Sequence, residues 1–550
     1  MSKRYFLAVI FAISVTVYFA SCGGGSTEHH DDTSVFRFNE LGDVSSLDPA
    51  MAGSFENNWA VNQLYNGLVE MDEKLNVQPC IASSWNISDD GMMYTFHLRQ
   101  DVYFHDDPQF PQGKGRKVTA ADFVYSFSRL FDANISNAST LVESFDSKNT
   151  SYDHGMEAAD DSTLIIHLAH PFKPFLGIVT MKYFSVVPKE VVQFYGSEFR
   201  IHPVGTGPFR LKKWEEKARL DMERNPVYFR KDAEGNQLPY LDIVSVSFIK
   251  DPDAAFLQLL SGDLDMLSGI DAINKEKTLN ADGTLKEEMT DKFILQSAPF
   301  LKTDYIGINV EPGNKAGNSA LQNKLVRQAI NYAINREQIV RYRRNNLGTP
   351  ATTGFIPPSM RPYEASRLKG FTYDPDKARE LLEMANYPGG KGIPMVTLSV
   401  ASSYADIADE IVHQLSEVGI TAEVEIMDAG SLTTEVGEGR IMCFRKSWIG
   451  DYPDPENFMA LFYSKHWSPA GVNYTHFSST EFDRLYERCL GEQNDSARAD
   501  VFLRMEQILV EEAPVIPLYY DQVVRLVAKD VNGLAVDPMN LINLERVKKQ

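Results

Sequence analysis

The chain has 550 residues, and its 75 acidic side chains outweigh 54 basic ones for a formal net charge of −21. At ~150 residues per domain this is room for roughly three to four domain equivalents, and 43% hydrophobic with 23% charged residues describes a globular chain, neither disordered nor fibrous. So acidic a surface repels phosphate backbones and excludes a nucleic-acid partner, while four cysteines are too few for a disulfide scaffold.

The first element is an address. Lys3 and Arg4 precede an almost wholly apolar run over 5–20, too short for a spanning helix and suited to the core of a signal peptide. Phe19-Ala20-Ser21-Cys22 then resembles a lipoprotein-processing box, with Phe19 where leucine is usual. It predicts removal of residues 1–21 and acylation of Cys22, because several acyl chains on one residue anchor stably where one is marginal. Residues 22–34 are glycine, serine, histidine and acid and read as a flexible tether, with His29-His30-Asp31-Asp32 a solvated spacer. With Cys22 modified, Cys80, Cys443 and Cys489 remain, an odd number that forbids a complete disulfide set.

From Val35 the pattern is mixed α/β. Strands are predicted at 35–38, 93–98, 164–168, 209–211, 244–249 and 305–310 from period-two alternation. Helices are predicted over 57–69, from Thr119 (an N-cap with Asp122 three residues on) through Phe131, over 253–260, and over 323–342. Asp374-Pro375 starts another helix that runs to Met384. Residues 395–400, 405–418 and 421–427 read as a βαβ unit whose helix ends at Gly419. A strand over 442–448 follows, then the turn Asp451-Tyr452-Pro453-Asp454-Pro455, a helix over 497–512 and a strand over 517–526.

Sequence signatures of catalysis are missing. There is no HExxH, no GxSxG, no Walker A loop and no GxGxxG between a strand and a helix. Gly205-Thr206-Gly207-Pro208 precedes a strand rather than a helix and is a structural turn. No catalytic residue, metal site or cofactor is nominated.

A series of spaced motifs does carry a resemblance. Leu47-Asp48-Pro49, Leu64-Tyr65-Asn66-Gly67-Leu68, Lys117-Val118-Thr119-Ala120-Ala121-Asp122-Phe123 and Pro203-Val204-Gly205-Thr206-Gly207-Pro208-Phe209 come in order. Val326-Arg327-Gln328-Ala329-Ile330-Asn331-Tyr332, Tyr373-Asp374-Pro375, the stretch 448–458 and Ala513-Pro514-Val515-Ile516-Pro517-Leu518 complete the set. Over about residues 35–530 the chain resembles the extracellular solute-binding proteins of family 5, the dipeptide and oligopeptide receptors of ABC importers.

The resemblance implies an α/β two-lobe clamp with mixed sheets, closing on its ligand by a hinge. Lobe 1 would comprise 35–298, with an inserted small domain at about 55–185; lobe 2 would be 299–506, and 507–550 would return to lobe 1. It also implies a monomeric, lipid-anchored envelope protein that passes short peptides to permease subunits. Relatives of the same fold carry oligosaccharides, nickel complexes or haem, and an envelope hydrolase is the alternative from another class.

Site residues follow from the same resemblance. Asp451 would take the peptide ammonium, Ser447 and Trp448 would pair with the peptide backbone as an added strand, and Gly53, Ser54 and Phe55 would face them. Arg445 would serve the peptide carboxylate, sharing a strand face with Ser447 while Lys446 takes the other. Asp454 is read as a turn and cap residue.

Overall fold

The computed structural model describes residues 33–136, 138–313 and 318–550; the predicted signal peptide, Cys22 and most of the tether lie outside the described residues. Ser34–Gln550 forms one compact unit. Its backbone is an 11-stranded mixed sheet organised by two long neighbours, Phe293–Ile308 and Val515–Ala528, which pair antiparallel. On one side the sheet continues through Met266–Ser268, Val35–Asn39, Ile243–Ser247, Arg219–Arg224 and Phe209–Glu215. On the other it continues through Cys443–Ile449, Val396–Ala401 and Ala422–Met427.

The two long strands therefore belong to both halves of a two-lobe fold. Their pairing slips between Pro299 and Thr303 and again between Asp304 and Tyr305. Pro299 brings no N–H to the ladder, which explains why the pairing loosens there. Residues before the slip pair with the 522–528 end of the partner, and residues after it with the 515–520 end.

Each half has its own apolar core. Phe36, Leu47, Trp59, Phe123, Phe184 and Val244 pack in the first. Tyr94, Phe96, Leu164 and Ile166, from a separate 4-stranded sheet, join that same cluster. Ile306, Val326, Leu398 and Ile411 pack on one face of the second half, and Leu301, Tyr305, Phe355, Phe458 and Phe502 on the other.

Most predicted elements are present with ends moved by a few residues. The βαβ unit is Val396–Ala401, Ala405–Glu417 and Ala422–Met427, its strands parallel and Gly419 at φ +90°. The Asp122 carboxylate accepts from the Thr119 backbone N–H at 2.9 Å and from its hydroxyl at 3.0 Å, closing the predicted cap.

Two helices are shorter than their periodicity suggests. The one predicted over 57–69 is Phe55–Leu64; Tyr65 is extended, and Gly67 bridges to Ser185. The one predicted over 323–342 is Lys324–Ala333, after which Ile334 is extended and Asn335 caps a new turn by accepting from Gln338 N–H at 3.0 Å. Arg336 enforces that break. It is buried, and it donates to the Pro517 carbonyl at 2.6 Å and to Asn331 at 2.9 Å and 2.8 Å, bonds that a continuous helix would not place in reach.

Candidate functional site

Strand Cys443–Ile449 lies against the long strand Phe293–Ile308, with Trp448 opposite Thr303, Ser447 opposite Asp304 and Arg445 opposite Ile306. Its other edge meets Val396–Ala401 only at Phe444. From Arg445 to Ile449 that second edge has no strand partner among the described residues. A row of unpaired backbone groups is what an extended ligand needs to add itself as a strand.

The strand ends where Gly450 donates its N–H to the Leu301 carbonyl at 2.8 Å. A Cβ on Gly450 would sit 3.1 Å from the Phe458 ring, so the close approach favours glycine. Asp451 comes next and is held by Asn457, which is buried in the first turn after Pro455. The Asn457 amide oxygen accepts from Trp448 Nε1 at 2.9 Å and from Asp451 N–H at 3.2 Å. Its amide nitrogen donates to Asp451 Oδ2 at 3.2 Å. One buried amide thus orients the tryptophan and the acid together.

The same loop is braced from behind. Asp454 accepts from Glu456 N–H at 2.9 Å and pairs both oxygens with the buried Arg498 guanidinium at 2.6 Å and 2.8 Å. Tyr452 donates its hydroxyl to Glu456 at 2.5 Å, and Tyr486 donates to the other Glu456 oxygen. Burial raises the Glu456 pKa while these two donors hold it down. Asp454 is therefore the turn and cap residue, and the loop is rigid where Asp451 projects.

Asp451 points into a cavity of about 570 Å³, within the size range of small-ligand sites. Its side chain is open to the cavity's water yet closely ringed by protein, so desolvation raises its pKa against the lowering effect of Asn457. No cation lies within ion-pair distance of it among the described residues. The facing walls come from the other half of the fold: Asn58, Asn62, Glu70, Lys182, Arg230 and Asp537.

The remaining predicted site residues are placed differently. Gly53, Ser54 and Phe55 lie at the start of helix Phe55–Leu64, where Ser54 Oγ accepts from Asn57 N–H at 3.1 Å and the Phe55 ring lies 5.0 Å from Trp59. They are not in the cavity wall, which this helix supplies one and two turns later through Asn58 and Asn62.

Arg445 and Ser447 do share the face of Asp304. The Arg445 guanidinium sits against the Asp304 carboxylate and 3.1 Å over the Tyr404 ring, and burial pulls its pKa down to about 10. Lys446 lies on the other face, 4.1 Å over Tyr474. Trp448 is half-buried against the Phe355–Phe458 core.

The family description "Bacterial extracellular solute-binding proteins, family 5 Middle" matches residues 76–469, most of the chain and all of this strand and loop. The chain belongs to this family. It is 27% identical over 508 residues to the dipeptide-binding protein of Escherichia coli K12, covering 88% of each chain. It is 28% identical over 504 residues to the glutathione-binding protein of Shigella flexneri serotype 5b, covering 90% of each. Among solved structures it superimposes on the periplasmic binding protein DppA of Helicobacter pylori in complex with the peptide STSA, with a TM-score of 0.74 and 26% identity, covering 93% of this chain and 98% of that one.

Within this family-5 site, Asn457 escaped the sequence reading. Its signal was present, six residues after Asp451 in Asp-Tyr-Pro-Asp-Pro-Glu-Asn, but an asparagine after two prolines reads first as part of a turn. The opposite cavity wall left no local signal, since Glu70 and Glu545 meet Arg230 only through the fold.

Proposed function

We propose that this protein captures short peptides between its two lobes and delivers them to the permease of an ABC importer. The observation that carries the reading is Asp451: a rigidly held, partly desolvated carboxylate that faces the cavity with no cation within ion-pair distance among the described residues. A ligand with a free ammonium supplies that charge. The unpaired edge beside Ser447 and Trp448 offers the ligand's backbone a strand to join. The dipeptide-binding and glutathione-binding names of its relatives, and the peptide in the Helicobacter pylori complex, agree with an amine-bearing peptide.

The protein acts by binding and release and is not an enzyme. Its lobes comprise 35–298, including the inserted region at about 55–185, and 299–506. The chain returns to lobe 1 in the 507–550 segment, with the crossing itself inside Val515–Ala528, because Val515–Tyr520 still pairs on the lobe 2 side. Anchoring through acylated Cys22 would hold a monomer in the cell envelope near its permease; loss of membrane retention in Cys22→Ala is the expected result, and unchanged retention would remove the anchor. No described helix is long and apolar enough to cross a membrane.

Native mass spectrometry of the purified protein tests the function. A ladder of short peptides is the expected result; a retained sugar, metal complex or haem would overturn the peptide reading.

A further inference from the structure

A short peptide has a second charged end, and Arg445 already faces Asp304. The cavity beside Asp451 contains four other cations: Lys74, Lys182, Arg230 and Arg546. Arg230 is engaged by Glu70 at 2.7 Å and Glu545 at 3.0 Å. Arg546 Nε stands 3.8 Å from Glu545. Lys74 lies on the exposed turn between Val69–Met71 and Val77–Pro79, where water solvates it.

Lys182 differs from all three. It opens the short 3₁₀ turn Lys182–Phe184 and is half-buried. It lines both the main cavity and the small pocket behind it, beside Tyr65, Cys80 and Tyr228. Among the described residues no acceptor bonds its ammonium and no carboxylate lies within ion-pair distance. Glu70 is the acid with the largest influence on it, and that acid is taken by Arg230. Burial lowers its pKa, and the Arg230 charge adds to that, against the raising influence of Glu70 and Asp537. Enclosing a cation without a partner is costly, and such groups concentrate where a ligand completes them.

We infer that Lys182 binds the carboxylate of the peptide, so that the cavity holds a zwitterion between Asp451 in one half of the fold and Lys182 in the other. This rests on the peptide reading and deepens it: the ligand needs both free ends, and each end ties it to a different lobe. A peptide blocked at either end would bridge the halves by one charge only.

Calorimetry with trialanine, its C-terminal amide and its N-acetyl derivative tests the inference on the wild-type protein, Lys182→Met and Lys182→Arg. Amidation is expected to weaken binding to the wild type by about ten- to a hundred-fold, the range of a hydrogen bond to a charged group. Lys182→Met should lose a similar factor with free trialanine and lose little more on amidation, because both changes delete one interaction. Lys182→Arg should retain most of the affinity.

Amidation that costs nothing in the wild type, or costs as much in Lys182→Met, overturns the assignment. The first of these readouts needs no variant, so a misfolded Lys182→Met cannot shelter it. Loss on N-acetylation with indifference to amidation removes only this inference. Failure of all three peptides to bind the wild type removes the peptide reading and Lys182 with it.

Discussion

Two charged regions a few residues apart are built on opposite plans. Where the long strands cross, Lys302, Asp304, Arg344, Arg445 and Asp521 form a closed network. Lys302 Nζ lies 3.3 Å from Asp304 and 2.7 Å from Asp521, Arg445 faces Asp304, and Arg344 faces Asp521 while lying 4.4 Å over the Tyr519 ring. Each acid there is answered by two cations. At the cavity, six residues beyond Arg445, Asp451 is bonded by an amide, and among the described residues neither it nor Lys182 across from it has an ion-pair partner. In the network every charge faces an opposite charge of the fold, whereas Asp451 and Lys182 have no ion-pair partner among the described residues. On the proposed function, the contrast separates charges that hold the fold from charges that await a ligand.

Breaking the closed network should produce the largest effect. Asp304 is fully buried, so Asp304→Ala leaves Arg445 and Lys302 as enclosed cations with one acid fewer. Removing one partner of a buried pair costs about 3–5 kcal/mol, and urea unfolding should show a loss of that order. A loss below about 1 kcal/mol would mean the network is not what it appears from its geometry.

Asn457→Ala should come second and should affect both regions of behaviour. It removes the acceptor from the part-buried donors of Trp448 and Asp451, for a stability loss of about 0.5–1.5 kcal/mol per bond, and it frees the acid to wander. Ligand affinity should therefore fall although Asn457 itself need not touch ligand. Unchanged affinity in a destabilised Asn457→Ala would show that the loop positions Asp451 by other means.

Glu506 offers a pH-dependent check on a buried acid outside both regions. It accepts from Phe355 N–H at 2.9 Å and Ile356 N–H at 2.6 Å, and burial lifts its pKa to about 7 against those two bonds. A folded-state pKa above the unfolded value means that its contribution is fully present below the ordinary glutamate range and is lost as pH rises through about 7. Unfolding midpoints should therefore fall between pH 5 and 8 on the order of one such titration, and Glu506→Gln should flatten that slope. An equal slope in the variant would assign it to other groups.

The smallest expected stability effect belongs to Asp451→Asn. The acid is exposed and makes no ion pair with the protein, so the substitution should shift stability by less than about 0.5 kcal/mol. A large loss would place Asp451 with the structural charges and blur the comparison.

How far this contrast is legible in sequence depends on how local its parts are. The strand Cys443–Ile449 and the turn after it announce themselves, and Asp451 follows from them once the family motifs are seen. Thr119 with Asp122, and Asp374 just before Pro375, are caps decided within three or four residues, and both form. The helix over Lys324–Ala333 misled because its apolar period continues past Ile334, while the break is set by Arg336 reaching Pro517, 181 residues away. The strand Phe293–Ile308 is readable only toward its end, since Pro299 and Lys302 interrupt the alternation where it crosses between lobes. Lys182 gave no signal at all. A lysine opening a short turn is ordinary until the fold brings Glu70 to Arg230 and leaves the ammonium without an ion-pair partner among the described residues.

The central claim, that Asp451 exists for the ligand's ammonium, is tested most directly by a thermodynamic cycle. Calorimetry would compare free and N-acetylated peptide on the wild type and on Asp451→Asn. Each single change should cost about 2–5 kcal/mol, or roughly thirty-fold to several thousand-fold in affinity, and the two together should cost little more than one. Losses that simply add would show that Asp451 does not meet the amine, and no loss from either change would remove it from the site.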